Sequence, residues 1–379
     1  MSSDNGQSIL DSQTRSPSVL DWVSRLLRLD LPLFLALLTL AALGLVILYS
    51  ASGQDMAAVQ RQLVRLLLAF VVMMVVAHIP PSVLRSWSIA AYGTGLLMLL
   101  AVLLVGDIGK GAQRWLDLGI VRFQPSELMK IAVPMMVARF VSEYPLPPTL
   151  QRVLVAGVIV TVPAALIMQQ PDLGTALLVA GAGLAVLFLA GMQWQLIAAA
   201  LGICAIAAPV LWNFMHAYQR QRVMTFLNPE ADPLGAGYHI IQSKIAVGSG
   251  GIFGKGWLNG TQSHLDFLPE RHTDFIFAVF GEEFGLFGAL GLLALYAFII
   301  VRCLYLATDS QGSYGRLLAG SMVVTFLIYL VVNIGMVIGL LPVVGVPLPL
   351  VSYGGTSMVT LMIGFGIVMS VHSHRRLLS

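Results

Sequence analysis

The chain has 379 residues, 58% hydrophobic and only 10% charged, against about 25% charged in an ordinary soluble domain, and its mean hydropathy is +0.86. Apolar stretches of span length recur throughout, which excludes a soluble globular domain, and no alternating strands of about ten residues point to an outer-membrane barrel. The net charge of +3 is scattered over short loops instead of gathered into a patch, which argues against a nucleic-acid partner.

The expected fold class is therefore all-α: a polytopic transmembrane bundle of about ten helices, since lipid offers backbone polar groups no partner. Residues 1–30 form a polar tail. The first apolar run, 31–49, is too long for a typical cleaved signal and reads as a retained span. Further spans follow at 63–79, 87–105, 125–141, 153–168, 173–190, 196–214, 274–301, 317–340 and 352–371. Together they make one membrane domain over 31–372, followed by a short tail, 373–379. An even number of spans puts both termini on one side. That side carries Arg15, Arg25, Arg28, Arg85, Arg139, Arg152, Arg302, Arg316, Arg375 and Arg376, while the short opposite loops carry Arg61, Arg65, Lys110, Arg114 and Arg122. Positive charge stays inside, so both ends are expected in the cytoplasm. Cys204 and Cys303 fall in apolar stretches and read as small core residues.

This topology makes the outer side the chemically rich one. It holds residues 106–124, the tight turn 169–172, the long loop 216–273 and the Pro/Gly-rich 342–355 segment. A loop approaching sixty residues is usually functional or disordered. Aromatic and branched residues among its glycines favour order.

Three constellations stand out. In QPSELMK (124–130), Pro125 suits a first helical turn, and Glu127 and Lys130 share one face. Lys130 lies about 8 Å below the helix start, so it faces either a watery cavity or a neutralising partner that locks packing. In QQPDLGT (169–175), Asp172 suits a helix cap, and it lies on the same outer side as the first pair. In LPERHTDFIF (268–277), Asp274 enters the eighth span after Glu270, Arg271, His272 and Thr273. Thr273 or Asp274 suits a cap; a partly desolvated carboxylate there also suits a general base. Glu282 and Glu283, two turns deeper, read either as a polar network or as paired structural charges.

The glycine-rich stretch GSGGIFGKGWLNG (248–260) fits neither a dinucleotide nor a P-loop spacing, since Phe253, Ser249 and Gly256 stand at the wrong positions. Its glycines suit close approach of backbone to a ligand, with Lys244 and Lys255 available for anionic groups. H-E-x-x-H, C-x-x-C, G-x-S-x-G and D-x-D are all absent. A sugar donor, if one is used, is then carried by lipid and not by a nucleotide.

Taken together, GAQRWLDLG (111–119), RFQPSELMK (122–130), QQPDLGT, DPLGAGYHIIQSKIAVGSGG (232–251), LPERHTDFIFAVFGEEFG (268–285) and PVVGVPLPLVSYGGTS (342–357) resemble the SEDS family (shape, elongation, division and sporulation), nearest to its rod-shape-determining branch. The resemblance covers nearly everything after the polar tail. It implies a peptidoglycan glycosyltransferase of the cytoplasmic (inner) membrane that polymerises lipid II during cell elongation, with inversion. The implied partners are a class B penicillin-binding transpeptidase and other membrane proteins of the elongation complex. Asp274 matches the family's essential aspartate and is the expected general base. Glu127, Lys130 and Asp172 match polar residues of the family's central cavity. Trp115 matches a functional tryptophan of the first long outer loop, where stacking on a sugar competes with interfacial anchoring as its role. Lys244 and His272 complete the expected substrate-binding set. No metal site is evident, and the one cofactor the chemistry admits is a divalent cation such as magnesium bridging the pyrophosphate.

Two other readings compete. A lipid II flippase would need important charges along the full membrane depth, whereas those here cluster in the outer half. A non-catalytic scaffold of the elongation machinery leaves Glu127, Lys130 and Asp274 without a purpose.

Overall fold

A computed structural model describes residues 29–109, 112–117, 122–215, 217–231, 236–264 and 270–374. Both tails lie outside the described residues apart from short stretches beside the first and last helices. With them go Arg15, Arg25, Arg28, Arg375 and Arg376, as well as Lys110 of the opposite loops. The same holds for Gly111, 118–119, 232–235 and 268–269 of the quoted motifs, and nothing is described for the side chain of Cys204.

Each of the ten expected spans is a helix. They are α1 (Leu31–Ala51), α2 (Met56–Ala77), α3 (Pro81–Val105), α4 (Pro125–Ser142), α5 (Leu150–Gln169), α6 (Leu173–Leu189) and α7 (Trp194–Phe214). The long loop then folds into α8 (Ala217–Leu227), a 3₁₀ turn (Pro229–Ala231), α9 (Ala236–Ser249) and α10 (Thr261–His264). The last three are α11 (Ile276–Thr308), α12 (Ser313–Val337) and α13 (Thr356–Ser373). Among the described residues seven helices are long and apolar enough to cross a membrane: α1, α2, α3, α5, α11, α12 and α13. Of the remaining three, α4 carries charge, α6 is shorter, and in α7 the qualifying apolar stretch is the shorter Trp194–Ala207. The chain is a multi-pass membrane protein.

The purely helical expectation needs one correction. Residues 106–124 hold a small antiparallel sheet, β1 (Asp107–Gly109), β2 (Ala112–Asp117) and β3 (Arg122–Phe123), in the order β1-β2-β3. Strands this short pair through backbone alone and leave no hydropathy signal.

Polar residues fix how the helices start and join. Asp30 caps α1, accepting from Leu33 N at 3.0 Å, and its two oxygens also take the Arg302 guanidinium of α11 at 3.0 and 2.7 Å. The centre of the bundle is α12 and α13, with 67% and 61% of their most apolar windows buried. On the outside, α2, α3 and α5 turn Leu67, Leu97 and Leu154 outward, where lipid would cover them. The helix α2 lies along α13, α3 against α4, and α6 between α5 and α12.

One helix is broken. Gly285, inside α11, has φ 63° and ψ −161°, a region that disfavours any Cβ. The break opens the helix backbone to the 251–256 loop. Lys255 N and Gly256 N donate to the carbonyls of Glu282 and Glu283 at 3.0 and 2.9 Å, and Leu286 N and Phe287 N donate back to Gly251 and Ile252 at 3.0 and 3.1 Å. Gly250 and Gly254 of this stretch therefore serve close packing of loop on helix. A Cβ on Gly254 would lie 2.1 Å from Glu283 O, and one on Gly285 would lie 2.3 Å from Gly254 N.

Candidate active site

A cavity of about 520 Å³ opens among β2, α4, α6, α12 and the segments around 270–274 and 344–357. Five of the seven sequence-selected residues line it: Trp115, Glu127, Lys130, Asp172 and Asp274. The other two do not. His272 faces a neighbouring cavity. Lys244 is exposed on α9 with its stem against Gly339.

The pair on α4 is buried and tightly coupled. Lys130 Nζ donates to Glu127 Oε1 at 2.7 Å and to the Tyr329 hydroxyl of α12 at 2.6 Å. The neutralising pair and the cavity-lining charge are thus the same two residues. Glu127 Oε2 has no hydrogen-bond partner among the described residues, which leaves acceptor capacity on the cavity wall.

Asp172 also serves both roles expected of it. One oxygen caps α6, accepting from Thr175 N at 3.2 Å, while the other accepts from Gln124 Nε2 at 3.3 Å and lies 3.6 Å from Arg114 Nε. An ionised carboxylate has about four acceptor positions, so a cap does not exhaust it. Arg114 and Trp115 come from β2, so the small sheet is what carries these two side chains to the cavity.

Asp274 does not occupy the cap position of its helix. The cap position of α11 is Phe275, without a side-chain cap bond, so the first helical residue is Ile276. The half-buried Asp274 side chain lines the cavity instead. Its backbone is held with unusual completeness. The carbonyls of His272, Thr273 and Asp274 accept from Tyr353 N at 2.9 Å, Ser352 Oγ at 2.6 Å and Asn333 Nδ2 at 2.9 Å. Asn333 Nδ2 also donates to Val346 O at 2.7 Å, tying the 343–355 loop to the same anchor. Gly345, at φ 76°, sits where a Cβ would come 3.6 Å from Asp274 Oδ2, so its missing side chain keeps the approach to that carboxylate open.

Sequence reasoning passed over Asn333, Tyr329 and Tyr353. A lone amide in the apolar run around 333 was the available signal, because an unpaired amide there is costly. The offer of Lys255 to an anionic ligand is corrected. Its Nζ lies 2.7 Å from Glu282 Oε1, which also accepts from Thr261 Oγ1 and Gln262 N, both at 3.0 Å. Glu283 instead accepts from Ser50 Oγ of α1. Each acid belongs to its own structural network.

The family model described as Cell cycle protein (FtsW, RodA, SpoVE) matches residues 30–377. Peptidoglycan glycosyltransferase MrdB of Escherichia coli (strain K12) is 56% identical over 352 residues, covering 93% of this chain and 95% of that protein. A chain from a solved peptidoglycan synthase complex that coordinates polymerization and crosslinking superposes with a TM-score of 0.80, at 32% identity, covering 92% of this chain and 98% of that one. The rod shape determining protein RodA of Thermus thermophilus superposes at 0.69 with 30% identity, covering 90% and 96%. With a model matched across almost its whole length and relatives this similar, the chain belongs to the FtsW/RodA/SpoVE family.

Proposed function

We propose that this chain is a peptidoglycan glycosyltransferase that polymerises lipid II at the outer face of the cytoplasmic membrane during cell elongation. The observation that carries this reading is Asp274, anchored through three consecutive carbonyls at the rim of a polar cavity that also holds Lys130, Glu127 and Asp172. An anchored carboxylate with free approach suits a general base.

Asp274 removes the proton from the 4-hydroxyl of the acceptor's N-acetylglucosamine. That oxygen forms a bond to C1 of the donor's N-acetylmuramic acid, with inversion. The C1–oxygen bond to the pyrophosphate breaks, and its electron pair leaves with undecaprenyl pyrophosphate. Lys130 and Arg114 supply positive charge for that leaving group. Trp115 offers a ring face to a sugar, and Lys244 and His272 act outside this cavity. Among the described residues no three His, Cys, Asp or Glu side chains gather to hold a metal. A magnesium ion would therefore be held chiefly by the pyrophosphate, and no step above runs through one.

In this reading all ten long helices cross the membrane, and both termini are cytoplasmic. A class B penicillin-binding transpeptidase binds the chain and cross-links its product, alongside other membrane proteins of the elongation complex. The test is strand synthesis from lipid II by the purified protein with its transpeptidase. Strands from wild type and none from a folded Asp274→Asn variant are expected, whereas equal synthesis by both removes the general-base role. If neither polymerises although lipid II and partner are competent, the flippase reading takes its place and a liposome flipping assay decides it.

A further inference from the structure

Resting on the polymerase reading, a second cavity acquires a role. It has a volume of about 260 Å³ and is lined by Asp55 and Arg61 at the outer end of α2, by Arg271 and His272, and by Tyr353, whose other side lines the Asp274 cavity. The residues before α11 divide between the two: Glu270, Thr273 and Asp274 face one, Arg271 and His272 the other. The cavities are neighbours, and among the described residues Tyr353 is the one side chain common to both.

The reaction needs two lipid-linked saccharides, each with a pyrophosphate. The donor's pyrophosphate is one bond from the reacting carbon, so it belongs beside Asp274 and Lys130. The acceptor reacts through the far end of its disaccharide, so its pyrophosphate lies a disaccharide away and requires cations elsewhere. We propose that the cavity beside Tyr353 binds the pyrophosphate of the acceptor lipid II, through Arg61 and Arg271. Two guanidinium groups face one carboxylate there, since among the described residues Asp55 is the only acid lining it, and it lies 3.5 Å from Arg61. Arg65 adds a third cation nearby, with its guanidinium 4.7 Å from the centre of the Tyr353 ring. Planar forks of this kind suit phosphate oxygens. The phenol of Tyr353 reports the same field: burial pushes it up, but Arg61 and Arg65 outweigh that and hold it below the usual tyrosine range.

The experiment counts lipids. Native mass spectrometry of the purified protein with undecaprenyl pyrophosphate is expected to show two bound per chain in wild type and one in the Arg61→Gln/Arg271→Gln variant. The retained first lipid also shows that the variant is folded. In strand synthesis the variant's KM for lipid II should rise about tenfold, from the lost charge-assisted bonds, with a much smaller change in kcat. Two lipids on the variant, one on wild type, or a fall in kcat at unchanged KM would each overturn the proposal. An unchanged KM with relief of product inhibition would assign the cavity to released carrier lipid, and so overturn the acceptor role. R271Q alone leaves the Arg61–Asp55 pair in place and is read the same way if the double variant does not fold. Wild type that binds two lipids but makes no strands overturns the polymerase reading, and the count still decides whether the second site exists.

Discussion

Asp274 and the pair Glu282–Glu283 stand two turns apart on one stretch of chain, and their surroundings could hardly differ more. Around Asp274 the backbone is saturated with hydrogen bonds while the carboxylate lines an open cavity. Around Glu282 the partners gather on the side chain itself, with Lys255, Thr261 and Gln262 converging on one oxygen, and the residue is fully buried. An acid within a membrane bundle is therefore not a catalytic signal in itself. What separates the two is what surrounds each acid: Asp274 lines a polar cavity beside carbonyls that are fastened to other parts of the chain, whereas Glu282 is sealed among structural partners away from that cavity.

The comparison can be broken or sharpened by substitution. The largest effect is expected from Gly285→Ala, because a Cβ there meets the Gly254 backbone at 2.3 Å and φ is 63°. A loss above about 4 kcal/mol should leave no monodisperse protein by size-exclusion chromatography. Asp274→Asn should slow strand synthesis by about 10²- to 10⁴-fold, while thermal unfolding in detergent stays at the wild-type temperature. Glu282→Ala should do the reverse. It strands Lys255 beside a buried hole and is expected to cost about 3 kcal/mol of stability, read by the same unfolding assay, with activity per folded molecule largely kept. Equal activity losses for D274N and E282A would erase the distinction drawn above.

The smallest effect is a pH dependence at Tyr353. Its phenol is held below the usual tyrosine value of 10, with Arg61 and Arg65 overriding burial. A group depressed in the folded state adds stability that is fully present above its unfolded pKa and is lost as pH falls through the folded one. The melting temperature of wild type relative to Tyr353→Phe should therefore rise as pH climbs toward the usual tyrosine value of about 10, and a flat difference would refute the pairing.

Much of the fold was legible in sequence. The span expected at 31–49 is the helix Leu31–Ala51, and that expected at 173–190 is Leu173–Leu189, because a lipid-facing helix must be apolar along its length. The small sheet was not legible, since two to six residues of backbone pairing carry no periodicity. Nor was the break in α11, where Gly285 looks like any other glycine until the loop that fills the gap is known. Within the site, Glu127, Lys130, Asp172 and Asp274 announced themselves as charges in apolar surroundings. Lys255 misled because a cation near glycines says nothing about which carboxylate folds up beside it. Asn333 was visible as a lone amide, but its partners, the carbonyls of Asp274 and Val346, are distant in sequence.

That double attachment of Asn333 bears on protein engineering. The 343–355 loop and the 272–274 segment share Tyr353 N, Ser352 Oγ and Asn333 Nδ2 as common fastenings, so they form one cassette drawn from three separate parts of the gene. A chimaera that imports the loop from a relative without a matching asparagine and serine would carry a foreign lid on a native acid. Swapping all three pieces together is the exchange that keeps the acid where it stands.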